Sequence, residues 1–128
     1  MNLIGTGVDI VDNRRIHRIY TRYSQAFAKR ILHATELAEF PEKRDKTRYL
    51  ASRFSVKEAI AKAFGLGMRG EMSWRNICIS HDPVGKPVAA FEKSLLDQIG
   101  VDELEVSVSI SHEKYYTIAY AIAFGKNV

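Results

Sequence analysis

Two stretches near the carboxyl end, LEVSVSISH at residues 104–112 and YYTIAYAIAF at residues 115–124, alternate apolar or aromatic residues with small or polar ones. Only Glu113 and Lys114 separate them. A period of two matches the pleat of a β-strand, and so short a connection leaves room only for a tight turn, so the pair predicts an antiparallel hairpin. In the second strand Tyr116, Ile118, Tyr120, Ile122 and Phe124 share one face, and Thr117, Ala119, Ala121 and Ala123 share the other, because side chains alternate across a sheet. A face of small side chains lets a helix lie close, so the rest of the chain must supply that helix.

The candidate is a long central helix from about Lys43 to Phe64, stopping at Gly65 and Gly67, which suit left-handed caps and tight turns. Ahead of it, NLIGTGVDIV (residues 2–11) reads as a strand, and Asp12 or Asn13 can cap a following helix. In that helix Ile16, Ile19, Tyr20, Tyr23 and Phe27 recur at helical spacing, while Arg14, Arg18 and Arg22 point the other way. ATELAEF (34–40) is a short helix ended by Pro41. ICIS (77–80) and PVAAF (87–91) are strands around the turn HDPVGKP, and SLLDQIG (94–100) is a brief helix. The expectation is an α+β single domain, residues 1–128, with an antiparallel sheet packed against the central helix.

Composition agrees. With 46% hydrophobic and 27% charged residues over 128 positions, the chain can bury a core, which excludes disordered and fibrous designs. No apolar run is long enough to span a bilayer, and MNLIGTGVDIV lacks the basic flank and cleavage site of a signal peptide, so a cytoplasmic location without membrane attachment is expected. The single cysteine, Cys78, cannot form an internal disulfide and reads as a small strand residue. Nineteen Lys and Arg against fifteen Asp and Glu leave a net charge of +4. That favours anionic partners: nucleic acid, phosphorylated cofactors or acidic proteins.

The central helix carries charges that its apolar residues do not explain. On a helical wheel Leu50, Phe54, Val56, Ile60, Ala61 and Phe64 cover a broad apolar arc, and Arg44, Arg48, Ser55, Glu58 and Lys62 line a polar stripe beside it. The stripe reads as a solvated face with a Glu58–Lys62 pair four residues apart, or as part of a site. Arg53 and Lys57 project from within the apolar arc, where an unpaired charge costs several kcal/mol. Each needs a partner: a carboxylate of this chain, a neighbouring subunit or a bound phosphate.

Asp9 poses the same problem in an apolar strand, where it is expected to share a face with Leu3 and Val11. A lone buried carboxylate would take up a proton, whereas one that caps, pairs with Arg or ligates a metal stays ionised. Mg²⁺ accepts one or two protein carboxylates completed by water and phosphate, and Asp9 and Glu58 are candidates for that pair. His112, on the face of Val106, Val108 and Ile110, is either a strand-end histidine satisfied by a carbonyl or a phosphate donor and proton carrier. His17, His33 and His81 have no zinc-like spacing, and GLGMRG lacks the terminal Lys-Ser/Thr of a phosphate loop.

GVDIV near the amino end, RFSVKEAIAKAFGLGMRG in the middle, GKP after a strand and SISHEKYY near the end resemble, in order and spacing, the holo-acyl-carrier-protein synthases. These are the small bacterial class of phosphopantetheinyl transferases, and the resemblance covers nearly the whole chain. Departures are minor: Ser55 and Val56 fill variable places of the second motif, and Thr117 stands where a family member often has Ala.

The resemblance implies the 4′-phosphopantetheinyl transferase fold and a transfer of 4′-phosphopantetheine from coenzyme A to a serine of apo-acyl carrier protein, releasing 3′,5′-ADP. By similarity Asp9 and Glu58 hold Mg²⁺ with the coenzyme A pyrophosphate, Lys62 faces that pyrophosphate, and Arg53 meets the 3′-phosphate. His112 and Gly85-Lys86-Pro87 complete the cofactor pocket, with Glu58, Lys62 and His112 as the catalytic groups. The serine proton goes to His112 or, through a metal-bound water, to Glu58. A homotrimer with pockets between subunits is implied, which would give Arg53 and Lys57 an intersubunit or ligand partner. Arg14, Arg18 and Arg22 are the expected dock for an acidic carrier. The alternative from another class is a non-catalytic RNA- or nucleotide-binding module; it explains the basic charge but leaves Asp9 and Glu58 without a purpose, since carboxylates repel phosphate unless a cation intervenes.

Overall fold

The chain is described over residues 1–126 in a computed structural model. The elements run β1 (Asn2–Asp12), α1 (Asn13–Tyr23), α2 (Gln25–Ile31), α3 (Ala34–Glu39), α4 (Lys46–Ala63), β2 (Ile77–His81), β3 (Pro87–Phe91), α5 (Lys93–Ile99), β4 (Glu103–His112) and β5 (Tyr116–Lys126). β1, β5 and β4 form an antiparallel sheet in that order, with the last strand in the middle, and β2–β3 is a separate hairpin. Among the described residues no helix is long and apolar enough to cross a membrane.

The hairpin that the alternation predicts is present, with a slightly longer turn. Glu113 reaches over it, its Oε1 accepting from the backbone N–H groups of Tyr115 and Tyr116 at 2.9 and 2.8 Å. Tyr115 therefore belongs to the turn, and His112 pairs with Thr117.

α4 lies on the alanine face, packed on β5 and β1. Ala119, Ala121 and Ala123 are fully buried beneath it. β1 contributes two glycines to the same contact: a Cβ on Gly5 would lie 2.2 Å from the carbonyl oxygen of Ala63, and one on Gly7 would lie 2.0 Å from that of Ala59. Helix and strand backbones thus touch directly.

Twelve of the eighteen residues of α4 are buried, so it has no wet side of ordinary width. One core fills the space between α4, the sheet and β2–β3; a second lies where α1, α2 and α3 cover the other side of α4 around Ile16, Ile31, Leu32, Phe40 and Leu50. Ser55, expected on the polar stripe, is fully buried and donates to the carbonyl of Ser52 at 3.2 Å.

Boundaries differ from the sequence expectation at identifiable places. α4 begins at Lys46 rather than Lys43 because the Asp45 carboxylate accepts from the N–H of Arg48 and caps it. The first helix is two: Ser24 adopts a positive φ of 47° and divides α1 from α2, placing Phe27 on the second. Pro41 does not stop the chain at Phe40, which stays helical and opens a short 3-10 turn to Glu42. An irregularity between Leu3 and Gly5 shifts the β1 register and turns Leu3 outward to 60% exposure. Asp9 consequently shares its face with Gly5, Gly7 and Val11, and not with Leu3.

Candidate functional site

The two charges buried in α4 have their partner inside the chain. Glu36 of α3 is 1% exposed; its Oε1 accepts from the fully buried Lys57 Nζ at 2.5 Å and from the N–H of His33 at 2.9 Å. Its Oε2 accepts from the N–H of Ile79 at 2.8 Å and lies 3.7 Å from Arg53 Nε. Lys57 also donates to the carbonyls of Ile31 and Trp74. One carboxylate thus joins α3, α4 and β2, and the intersubunit or ligand partner implied for Lys57 is replaced by Glu36. Burial pulls the Lys57 ammonium below its ordinary value, and Glu36 opposes that pull. Nothing in the sequence singles out Glu36, because its partners lie 21 and 43 residues away.

Arg53 is tied into the same cluster but reaches its edge. Its terminal nitrogens donate to Ser52 Oγ and to the carbonyl of Ile79, both at 3.1 Å, and its guanidinium stacks 4.1 Å above the Tyr49 ring. Nε is buried without a hydrogen bond. Two cations against one carboxylate leave this cluster with a surplus positive charge beside a cleft.

That cleft, about 390 Å³, is lined by Arg44, Arg48 and Arg53 on one side and by His81, Gly85, Pro87 and His112 on another. Burial lowers the pKa of both histidines, with Arg53 acting the same way on His81 and Arg48 on His112. The arrangement suits a ligand with more than one phosphate. Gly85, at φ 87°, forms the turn, where Asp82 Oδ1 accepts from the N–H groups of Val84 and Lys86. The Lys86 side chain is exposed and is not among the groups lining this cleft. Arg44 and Arg48 fall on the predicted polar stripe, but only the fold brings β2 and β4 against them.

Asp9, Glu58 and Lys62 meet farther along α4, toward its carboxyl end and against β1. Lys62 Nζ donates to the carbonyl of Val8 at 3.0 Å and to Asp9 Oδ1 at 3.1 Å. Lys62 thus pairs with Asp9; the Glu58–Lys62 pair that their helical spacing offered is not formed among the described residues. Asp9 Oδ2 is buried without any partner. Burial raises the Glu58 pKa, the charge of Asp9 raises it further, and Lys62 opposes both. Two carboxylates repelling each other, one with an orphaned oxygen, are a donor set that fits a hard divalent cation. Among the described residues no group of three or more His, Cys, Asp or Glu side chains could hold a metal.

Among the described residues Glu58 and His112 line separate cavities. Asp9 is on β1 and His112 on β4, with β5 between them and α4 above it. Glu58 instead borders an apolar groove of about 660 Å³ with Arg15, Ile19, Phe27, Arg30 and Trp74. Arg14, Arg18 and Arg22 are exposed on α1 as expected. Arg14 is occupied: it donates twice to Asp12, both bonds 2.9 Å, and lies 4.4 Å over the Tyr115 ring.

Comparison with known proteins identifies the family and the fold. A family model described as the 4′-phosphopantetheinyl transferase superfamily matches residues 5–121. A curated holo-[acyl-carrier-protein] synthase of Neisseria meningitidis serogroup A is 45% identical over 124 residues, covering 94% of this chain and 98% of the relative. The crystal structure of a Neisseria meningitidis holo-[acyl-carrier-protein] synthase superposes with a TM-score of 0.88 at 44% identity, covering 95% of this chain and 98% of that one. The Helicobacter pylori enzyme in complex with coenzyme A gives 0.80 at 32% identity, covering 93% and 99%.

Proposed function

The chain belongs to the 4′-phosphopantetheinyl transferase superfamily, and we propose that it works as its relatives are named, as a holo-[acyl-carrier-protein] synthase. It transfers the 4′-phosphopantetheine group of coenzyme A to a serine of apo-acyl carrier protein and releases 3′,5′-ADP. The observation that carries the site reading is the pair of carboxylates, Asp9 on β1 and Glu58 on α4, converging beside Lys62.

The chemical difficulty is charge, since a hydroxyl must approach a phosphate diester already bearing negative oxygens. On this reading Asp9 and Glu58 would hold Mg²⁺, which when bound neutralises and orients the pyrophosphate. Lys62 lies at the same place and brings its ammonium to those oxygens. The basic cleft takes the nucleotide end, with Arg53 toward the 3′-phosphate and His112, Gly85 and Pro87 around the cofactor; Arg44 and Arg48 join them, and Lys86 does not. Holding the reactants in register supplies much of the remaining rate.

A homotrimer with active sites between subunits fits two observations. The carboxylates and the cleft sit apart on one chain, Asp9 on β1 and His112 on β4 with β5 between them, so a neighbour can complete each site. The outer sheet face is also apolar and open: Val8 and Ile10 are 53% and 59% exposed, beside Ile118 and Tyr120. Arg18 and Arg22, with Arg14 partly committed to Asp12, offer an acidic carrier a positive face beside the groove that Glu58 borders. The protein serves fatty acid biosynthesis in the cytoplasm on this reading, with Cys78 as a free thiol.

Purified protein incubated with coenzyme A, Mg²⁺ and apo-carrier is expected to add the mass of one phosphopantetheine to the carrier. Asp9→Ala and Glu58→Ala are each expected to abolish that gain while the circular dichroism spectrum stays unchanged. Full transfer by either variant would remove the shared metal site from the account.

A further inference from the structure

His112 is held by a chain of side chains whose protons can be counted. Asn13, the first residue of α1, donates through Nδ2 to the carbonyls of Glu113 and Lys114 at 3.2 and 3.3 Å. Two carbonyl oxygens on that side allow the amide one orientation, so its Oδ1 faces away from them. That oxygen accepts from Thr117 Oγ1 at 2.8 Å. A threonine hydroxyl has a single proton, and here it is committed to Asn13. Thr117 Oγ1 also lies 3.0 Å from Nδ1 of His112. With its proton used, the oxygen can only accept there, so Nδ1 carries the ring proton.

We infer that Thr117 and Asn13 are positioning residues for His112, fixing the Nδ1–H tautomer so that the neutral ring offers the cleft the lone pair of Nε2. Among the described residues Nε2 has no hydrogen-bond partner, and the ring lines the cleft with Arg48 and Arg53. Burial and those two arginines favour the neutral ring, with Asp45 opposing them. The inference rests on the coenzyme A reading of that cleft and narrows it. Of the two roles open to this histidine, phosphate donor and proton acceptor, the neutral ring so held can fill only the second. A hydroxyl proton taken up at Nε2 makes the ring an imidazolium whose Nδ1–H stays on Thr117. The hydroxyl oxygen keeps the electron pair of the broken O–H bond. An unconstrained imidazole, by contrast, can present either nitrogen protonated.

Long-range proton–nitrogen NMR of the free, nitrogen-15-labelled protein reads the tautomer without any turnover. The wild-type His112 is expected to show a protonated Nδ1 and a bare Nε2. Thr117→Val keeps the shape and removes the acceptor, and Asn13→Ala frees the threonine proton to point at His112; both are expected to let the Nε2–H form appear. Thr117→Ser is expected to restore the wild-type pattern. In turnover, Thr117→Val should lower kcat about tenfold while the KM for coenzyme A stays within about twofold, as loss of an aligned proton acceptor requires. A protonated Nε2 in the wild type, or a tautomer indifferent to both Thr117→Val and Asn13→Ala, would overturn the assignment. Full kcat in His112→Ala would overturn the catalytic use of the ring, and because the NMR result does not depend on turnover the two failures are distinguishable.

Discussion

At the level of single residues, chemistry was legible where a residue type contradicted its neighbourhood. Asp9 in an apolar strand and Glu58, Lys62 and His112 at their spacings stand out on type alone, and the fold brings the first three together. Arg53 and Lys57 equally announced that they needed a partner, but the partner did not announce itself. Glu36 lies in an ordinary short helix whose cap is His33, an unusual capping residue, with Nδ1 accepting from the N–H of Thr35. Because Glu36 is, among the described residues, the one carboxylate paired with both buried cations, its removal strands both. Glu36→Ala is expected to destabilise the fold by about 4 kcal/mol, the usual result of breaking a buried pair from one side. Urea denaturation measures it, and a loss below about 1 kcal/mol would show that water reaches the cluster.

The elements themselves followed from periodicity, with errors confined to where local geometry overrides pattern. The alternating strands and the central helix need no tertiary information. The Ser24 break does, since helical spacing runs on across it from Tyr23 to Phe27, and so does the Leu3–Gly5 irregularity, which exchanges the faces of β1. α4 was also misjudged in width: a helix with twelve of its eighteen residues buried, leaving little more than Arg48 and Lys62 exposed, loses most of the amphipathic signature that a wheel can detect. Its contact with β1 is the most exacting of its packings. Gly7→Ala would place a methyl group against the backbone of Ala59 and is expected to cost about 3 kcal/mol, near the upper end for overpacking. Thermal unfolding checks this, and an unchanged midpoint would mean that α4 can lift freely.

For the molecule as a whole, the sequence carried the fold class and the family, because motifs in order along a chain survive without coordinates. It did not carry the separation of Asp9 from His112, since that depends on β5, last in sequence, sitting at the middle of the sheet. Nor did it show that the large face of β5 would be left open. If the chain forms the proposed homotrimer, Ile118→Lys, placed among Val8, Ile10 and Tyr120, is expected to leave it folded and to shift its sedimentation toward the monomer; an unshifted trimer would move the subunit contact elsewhere. The notch at Gly5 and Gly7 has a reach beyond packing. On the proposed reading β1 would carry one acidic ligand and α4 the other, so the distance over which the two could grip an ion would be gauged by a pair of missing methyl groups. Drift in size at either glycine is then expected to register first as a change in affinity for the proposed magnesium.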